Sequence, residues 1–305
     1  MSDCELTAEA MEGFKNNTRG AKLKKLNVRG NGCLGVEGVS QVASVVLQCE
    51  VEDVNMRGCE LTAEAMEGFK NNTRGAKLKK LDVGLNDTLR VEGVAQFASV
   101  VLQCEVEDVN MSDCRLTAEA MEGFKNNTRG AKLKKLDVEG NSTLGVQGVS
   151  QVASVVLQCE VEDVNMSWCK LTAEAMEVFK NNTRGAKLKK LDVGCNGTLR
   201  VKGVAQLASV VLQCEVEDVN MSLCELTAEA MEGFKNNTRG AKINRLNLCD
   251  CFSITWGDEE ISTITEIVRQ CQVKTLVADS DNFKYSMLER FKKVIAEAGA
   301  NLELK

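Results

Sequence analysis

The sequence predicts an α/β solenoid with a curved parallel sheet inside and helices outside. A sequence repeat of 55 residues recurs along the chain, with four complete copies and a fifth that keeps the same sequence through Lys242. The copies begin at Met1, Met56, Met111, Met166 and Met221. Each copy contains two strand patterns and two amphipathic helix patterns. A single strand–helix unit cannot bury its apolar face alone, so such units stack into a solenoid.

The strands are predicted from alternating apolar and polar residues, the pattern of a strand with one buried face. In the first half of a copy, the buried positions are Val54 and Met56. In the second half they are Leu81 and Val83. Each strand is therefore expected to place these side chains in the core.

A turn and a helix follow each strand. The turn is expected to bury Cys59 in the first half and Asn86 in the second, where each side chain can hydrogen-bond to the backbone of the turn. Thr62 is a good N-cap for the first-half helix. The residues expected to face inward are Ala65, Met66 and Phe69 in the first-half helix, and Val94, Phe97, Ala98, Val101 and Leu102 in the second-half helix.

Both halves of a copy match the leucine-rich-repeat pattern L-x-x-L-x-L-x-x-N/C-x-L. The first half carries Cys59 at the N/C position, and the second half carries Asn86 there. This alternation of a Cys-type and an Asn-type unit, with long helices, resembles the ribonuclease-inhibitor-like class of leucine-rich repeats. Within that class it is closest in type to the leucine-rich-repeat region of NOD-like receptors. The resemblance implies an intracellular horseshoe that binds proteins or microbial ligands.

Two regions are predicted along the chain. The array of double repeats is expected to span residues 1–246, and divergent last repeats with a C-terminal cap are expected to span 247–305. The second region contains a predicted helix at Tyr285–Ala298. The first copy begins at Met1 without the VEDVN segment that precedes every later copy. We therefore expect a chain cut at a repeat boundary, with an uncapped N-terminal end through which it can self-associate.

The composition argues against an enzyme, a nucleic-acid binder and a membrane protein. The chain has no His, which removes the usual general base, the commonest metal ligand and the Ser-His and Cys-His pairs. A net charge of −6 gives no basic footprint for nucleic acid. No stretch approaches the length of about 18 apolar residues that a membrane span needs. We predict no catalytic residue, no metal site and no cofactor.

Most of the 14 cysteines recur at the repeat interval, which predicts buried structural thiols in a reducing, cytoplasmic compartment. Those at the turn position are Cys4, Cys59, Cys114, Cys169 and Cys224. They lie two units apart, roughly 10 Å, which is too far for a disulfide. Those at the ends of second-half helices are Cys49, Cys104, Cys159 and Cys214. Cys249 and Cys251 form a C-x-C without a second pair, which does not predict a metal site.

Charged residues that are identical in every copy alternate in sign along the predicted sheet. First-half strands carry Asp53, Asp108, Asp163 and Asp218. Second-half strands carry Lys25, Lys80, Lys135 and Lys190 at the same motif position. Such cross-strand pairs are modestly favourable. They are interpreted as residues that hold register and solubility, and their alternation also argues against a basic stripe for nucleic acid.

The differences between copies predict a binding surface. Thirteen of the 55 offsets vary among the four complete copies, and ten of these lie in offsets 2–5 and 27–37. These positions are the C-terminal ends of the strands and the turns that leave them. Helix positions that should be exposed, such as Glu67 and Lys70, are identical in every copy, so uniform surface drift does not produce this pattern. Selection for binding explains it, and drift or deliberate design is the alternative.

The ligand-binding residues predicted from this variation are Arg29, Arg57, Glu60, Leu85, Asp87, Arg90, Asp113, Arg115, Glu139, Trp168, Lys170, Cys195, Arg200, Leu223 and Glu225. Trp168, Cys195 and Leu223 occupy one motif position on three consecutive units. We expect them to form an exposed apolar row about 10 Å long, with Trp168 as its anchor. The alternative is that Trp168 lies flat against neighbouring backbone.

The predicted function is a non-enzymatic recognition module of the innate-immune-receptor type. It would bind a protein or another macromolecular ligand, of microbial origin for example, at the concave face and the ascending-loop edge. The alternative is a designed or consensus-like scaffold without a natural ligand. Copies 1 and 3 share Gly35 and Gly145, whereas copies 2 and 4 share Arg90 and Arg200. This 110-residue super-period is expected from duplication of a two-copy block, although a designer could also alternate modules.

Overall fold

A computed structural model describes residues 1–251, 256–283 and 285–305. The chain divides into two compact units. Unit 1 comprises Met1–Leu144 with Gln158–Val161, and unit 2 comprises Gly145–Leu157 with Glu162–Lys305. Both units repeat the same alternation of a short strand and a helix, which confirms the predicted α/β leucine-rich-repeat solenoid.

Each unit contains a parallel sheet in which every strand pairs with the next one along the chain. The strands of unit 1 are β1 (Lys25–Asn27), β2 (Asp53–Asn55), β3 (Lys80–Asp82), β4 (Asp108–Asn110) and β5 (Lys135–Asp137). The strands of unit 2 are β6 (Asp163–Asn165), β7 (Lys190–Asp192), β8 (Asp218–Asn220), β9 (Arg245–Asn247), β10 (Thr275–Ala278) and β11 (Asn301–Leu304). Parallel neighbours require a crossover, and a helix provides it in each repeat.

The helices follow the predicted order. In chain order they are α1 (Ala8–Asn17), α2 (Gly35–Gln48), α3 (Ala63–Asn72), α4 (Arg90–Gln103), α5 (Ala118–Asn127), α6 (Gly145–Cys159), α7 (Ala173–Asn182), α8 (Arg200–Gln213), α9 (Ala228–Asn237), α10 (Asp258–Gln270) and α11 (Tyr285–Glu297). The N-cap prediction for α3 is confirmed, because the Thr62 side chain accepts a hydrogen bond from the Ala65 N–H at 3.2 Å. In the described residues, no helix has the length and apolar character needed to cross a membrane.

The core contains the predicted strand residues, and Val54, Met56, Leu81 and Val83 are fully buried. The inward faces of the helices are also as predicted, with one exception. Leu102 is 40% exposed, so its assignment to the apolar face of α4 is wrong. Each helical residue turns by about 100°, so Leu102 lies about 40° beyond Ala98, which is at the margin of the buried face. The equivalent leucines, also exposed, are Leu47, Leu157 and Leu212.

Buried asparagines close the turns, as predicted. The Asn86 Oδ1 accepts hydrogen bonds from the Cys59 and Leu61 N–H groups at 2.9 and 3.0 Å. Its Nδ2 donates to the carbonyls of Met56, Val83 and Gly84 at 3.0, 2.8 and 3.0 Å. One amide side chain therefore satisfies five backbone groups from two consecutive halves of a copy.

The predicted cross-strand charge pairs are present. The Lys25 Nζ lies 3.3 Å from Asp53, and Lys80 lies 3.2 Å from Asp108. In unit 2, the equivalent distance from Lys190 to the Asp218 carboxylate is 3.6 Å. These pairs are solvent-exposed, so each stabilises the fold only slightly and their main effect is on register.

All 14 cysteines lie in the described part of the chain, and the structure shows them as free thiols. The turn cysteines are buried, except that Cys4 is exposed, so the prediction for this residue is wrong. The physical reason is that none of the described strand–helix units packs against that side of the first copy. Helix α1 accordingly buries only Met11, whereas α3 buries Ala65, Met66 and Phe69.

Candidate binding edge

The predicted binding residues lie where the chain leaves each strand, and we call this region the variable edge. It has three parallel rows. In unit 2, the exit row is Ser167, Gly194 and Ser222, the left-handed row is Trp168, Cys195 and Leu223, and the outer row is Lys170, Gly197 and Glu225. In unit 1, the corresponding rows are Arg57, Gly84, Ser112 and Glu139, then Gly58, Leu85, Asp113 and Gly140, then Glu60, Asp87, Arg115 and Ser142.

The left-handed row is named for its backbone conformation, which the outer-row residues of the Cys-type units share, with φ of 49–52°. Trp168, Cys195 and Leu223 have φ of 57°, 57° and 56°, in the left-handed region. Gly58 and Gly140 have φ of 64° and 73° at the same motif position in unit 1. A residue with a Cβ atom is strained there by about 1–2 kcal/mol relative to glycine. The sequence analysis missed this constraint, although the glycines at this position were a signal for it.

Backbone hydrogen bonds hold the left-handed row of unit 2 in line. The Trp168 N–H donates to the Gly194 carbonyl at 3.1 Å, and the Cys195 N–H donates to the Ser222 carbonyl at 2.7 Å. The Leu223 N–H donates to the Cys249 carbonyl at 2.9 Å. These bonds continue the ladder of β6, β7 and β8, so the three side chains start from equivalent points on neighbouring strands.

The side chains of this row form an exposed apolar surface, as predicted. Trp168 is 58% exposed and Leu223 is 45% exposed. Cys195, between them, is half-buried. More than half of the Trp168 surface therefore reaches solvent, which disfavours the alternative that its ring only covers neighbouring backbone.

The exit row beside it carries only small residues. Ser167 and Gly194 are buried, and Ser222 is half-buried. A Cβ atom added to Gly194 would lie 3.0 Å from the Ser222 Oγ and 3.1 Å from a carboxylate oxygen of Asp192. No long side chain rises between the apolar row and the sheet at these three strands.

The outer row of unit 2 carries two opposite charges on either side of a glycine. Lys170 and Glu225 are exposed, and within the described residues neither side chain makes an ion pair. The Glu225 side chain leans over Gly197, since a Cβ atom there would lie 2.8 Å from its Cδ. Arg200 and Glu225 also line one open cavity of about 520 Å³ on this side of the edge.

The thiols directly behind the edge are not reactive groups. Cys114 follows Asp113 in unit 1, and Cys224 follows Leu223 in unit 2. Burial raises the pKa of both thiols to about 12, so both are protonated at neutral pH. They serve as packing groups and hydrogen-bond donors, and the Cys224 Sγ donates to the Val193 carbonyl at 3.2 Å.

In unit 1, several predicted binding residues contact one another instead. The Arg57 guanidinium donates to the Ser112 Oγ at 2.5 Å and to the Asp113 carboxylate at 3.0 Å. It passes over Gly84, where a Cβ atom would lie 2.6 Å from its Nη1. The sequence analysis missed this bridge, because it joins residues two strands apart.

A second ion pair in unit 1 joins the Arg115 Nε to the Asp87 carboxylate at 3.3 Å. The remaining predicted residues of this unit are exposed, except for the half-buried Glu139; they are Arg29, Glu60, Leu85 and Arg90. Leu85 is 48% exposed and is the apolar member of this unit's left-handed row. The structure therefore places every predicted residue at or next to the variable edge of its own unit.

Comparison with known proteins agrees with the repeat pattern. The family described as "Leucine Rich repeat" matches residues 21–43. The ribonuclease inhibitor of Sus scrofa is 25% identical over 320 residues, which cover 100% of this chain and 69% of that protein. The ribonuclease inhibitor of Mus musculus is 26% identical over 196 residues, which cover 61% of this chain and 42% of that protein.

Solved structures with low sequence identity share the fold. The leucine-rich-repeat-containing protein LegL7 from Legionella pneumophila matches with a TM-score of 0.64 and 13% identity, over 92% of this chain and 91% of that one. A chain from the complex of Rad7 and Elc1 in yeast matches with a TM-score of 0.52 and 11% identity, over 97% and 83%. The chain is therefore an α/β leucine-rich-repeat solenoid that is similar to ribonuclease inhibitors.

Proposed function

We propose that this chain is a non-enzymatic recognition module that binds a protein through the variable edge of unit 2. The observation that carries the proposal is the left-handed row of Trp168, Cys195 and Leu223. Three consecutive strands there end in apolar side chains at a position where the backbone favours glycine; Trp168 and Leu223 are exposed, and Cys195 is half-buried. An apolar centre with a polar rim, here Lys170 and Glu225, is the usual composition of a protein interface.

Folding alone does not account for these residues. Gly58 and Gly140 show that glycine occupies the same position in the same array, without strain. The side chains of Trp168 and Leu223 strain the backbone and expose apolar surface to water. Binding a partner is a function that would offset both costs, since tryptophan is the residue most enriched at the centres of interfaces.

The relatives support protein binding. The similar proteins of pig and mouse are named for inhibiting a ribonuclease, and the yeast chain of the same fold was solved in a complex. The Cys-type and Asn-type alternation further supports a sensor role in innate immunity, like that of NOD-like receptors, with a protein or microbial ligand. Free thiols at all 14 cysteines favour the cytoplasm as its location. The net charge of −6 disfavours nucleic acid as the ligand.

The test replaces Trp168 by glycine. Wild type and Trp168→Gly are used to capture proteins from the source tissue, and a partner that depends on Trp168 is purified and titrated by calorimetry. We expect the substitution to weaken binding at least about tenfold, the usual effect of losing an anchor. The fold should be retained, because glycine suits the backbone at this position.

Leu85→Gly is the matched control, since Leu85 has φ of 55° and is 48% exposed at the same motif position in unit 1. It should leave the affinity unchanged. If Trp168→Gly unfolds the chain, Trp168 belongs to the core and the proposed surface is wrong. If both variants bind as tightly as wild type, the ligand sits elsewhere, and the polar residues Arg29, Arg57 and Glu60 become the next candidates.

A further inference from the structure

We propose that the variable edge of unit 2 also binds the same edge of a second copy of this chain, in a two-fold arrangement centred on Cys195. The inference rests on the proposed function, because it names a partner for the same surface. Homodimers with two-fold symmetry use one self-complementary patch on both subunits. The three rows of unit 2 have this property.

A two-fold axis through β7 places the first residue of each row opposite the third residue of the same row in the second copy. The exit row is Ser167, Gly194 and Ser222, so a serine faces a serine and Gly194 faces its own copy. The left-handed row then places Trp168 against Leu223 of the second copy, with Cys195 on the axis. Apolar side chains thus meet apolar side chains, and small residues meet small residues.

The charges of the outer row determine which orientation of the two-fold axis is favoured. With the two-fold axis parallel to β7 and lying in the interface, Lys170 of each copy faces Glu225 of the other. Two intermolecular ion pairs form from groups that have none within the described chain. A two-fold axis perpendicular to the strands would place Lys170 opposite Ser167 and would pair no charges. Charge complementarity therefore selects the first arrangement.

The residues that follow β7 at this edge leave room for the charges beside them. Gly194 and Gly197 flank Cys195 and carry no side chain of their own, and the Glu225 side chain lies over Gly197, which brings its carboxylate close to the axis. Arg200 lies at the outer rim of these residues, where it would face its own copy. It shares its cavity with Glu225, whose carboxylate offsets the positive charge.

The size of the patch sets the strength of the association. The three rows comprise nine residues, whereas a stable interface has about 20–30 residues on each side. We therefore expect a weak dimer whose population depends on concentration. Such a dimer would cover Trp168 and compete with any other partner for this edge.

The first experiment is a charge swap followed by sedimentation equilibrium of the full chain in reducing buffer. Lys170→Glu places two carboxylates opposite each other, and Glu225→Lys places two ammonium groups opposite each other. Each single variant should dimerise at least about tenfold more weakly than wild type. An equimolar mixture of the two single variants should restore the dimer, and so should the double variant.

Glu60→Lys is the matched control, because Glu60 holds the outer-row position in unit 1 with φ of 52°. It should leave dimerisation unchanged. Wild type that stays monomeric at every concentration would overturn the proposal. A mixture that fails to restore the dimer would overturn it too, since the loss would then not come from facing charges.

The second experiment tests the axis. Cys4 and Cys33 are the other solvent-accessible thiols, so both are first replaced by serine. A short bismaleimide cross-linker should then give a covalent dimer, and adding Cys195→Ser should abolish it. A cross-linked dimer that persists without Cys195 would contradict the arrangement.

The two proposals fail separately. If the chain does not self-associate but Trp168→Gly still weakens binding to a different protein, the dimer is wrong and the proposed function stands. If the charge swap controls a dimer while no other protein depends on Trp168, the dimer stands and recognition of a different protein is wrong.

Discussion

The variable edges of unit 1 and unit 2 have the same backbone conformation but present different side chains to solvent. In unit 1, Arg57 pairs with Asp113 across Gly84 and Arg115 pairs with Asp87, so four charged side chains of that edge satisfy one another. In unit 2, Trp168 and Leu223 stand exposed beside two charges that have no ion-pair partner within the described residues. The difference shows that the repeated backbone alone does not determine the chemistry of this edge. The surface depends on which side chains occupy the few positions that the frame leaves free.

The largest expected effect tests whether the buried asparagines of the turns stabilise both units equally. Asn86→Ala and Asn196→Ala should each destabilise the chain by at least about 3 kcal/mol, because several buried backbone groups lose their partner and each costs about 1–3 kcal/mol. Asn196 Nδ2 donates to the carbonyls of Met166, Val193 and Gly194 at 3.0, 2.9 and 3.0 Å, as Asn86 does in unit 1. Urea unfolding, monitored by circular dichroism, measures the loss of stability in both variants. Clearly unequal losses would show that the two frames are not equivalent.

A smaller effect separates strain from pairing at the left-handed row. Trp168→Gly should stabilise the chain by about 0.5 kcal/mol, because relief of about 1–2 kcal/mol of strain exceeds the entropy that glycine adds to the unfolded chain. Asp113→Gly relieves less strain, because Asp tolerates its φ of 54° better than Trp would, and it also removes the ion pair with Arg57. An exposed pair contributes roughly 0.5 kcal/mol, so this variant should be close to neutral. Thermal unfolding measured side by side would contradict the interpretation if Trp168→Gly were the less stable of the two.

The smallest expected effect is a pH dependence of stability that comes from Glu52, at the N-terminal end of β2. Hydrogen bonds from Lys24 and Lys79 lower the pKa of Glu52 from 4.5 to about 2. A carboxyl group whose pKa is lowered by folding stabilises the folded state above its unfolded pKa. That contribution is lost as the pH falls from about 4.5 to about 2. Glu52→Gln should therefore flatten the stability profile in this window.

Carboxyl NMR titration of Glu52 checks this prediction. The Glu52 signal should titrate well below 4.5, and a signal that titrates near 4.5 would rule out the lysine effect.

The fold could be predicted from the sequence because the repeat shows one period many times. Val54 and Met56, and Leu81 and Val83, are buried as the alternation requires. Leu102 was assigned to the wrong face because an apolar residue four positions after Ala98 fits the helical period, yet it lies beyond the buried stripe. Cys4 was assigned to the core because its copy was treated like the others. Pattern alone does not say which units have a neighbour on both sides.

The candidate site was predictable in position but not in its internal contacts. Variation between copies pointed to residues that lie together at one edge, and the exposure of Trp168 was predicted from the Asp and Gly found at its position elsewhere. The left-handed backbone was missed because φ is set by the turn and not by the side chain that occupies it. The bridge from Arg57 to Asp113 was missed because it depends on the reach of one long side chain across Gly84.

The buried asparagines also determine where the array can be cut. Asn86 makes three hydrogen bonds to the Cys-type half before it, through Cys59, Leu61 and Met56. In the other direction, the turn of a Cys-type half is joined to the Asn-type half before it by the Cys59 thiol, which donates to the Val28 carbonyl at 3.1 Å, and by the Gly30 N–H, which donates to the Arg57 carbonyl at 2.8 Å. The two kinds of boundary between halves therefore use different side-chain hydrogen bonds and alternate along the array. Insertions and deletions should therefore be tolerated in steps of a whole Cys–Asn pair, which makes the 55-residue copy the natural increment by which such an array grows or shrinks.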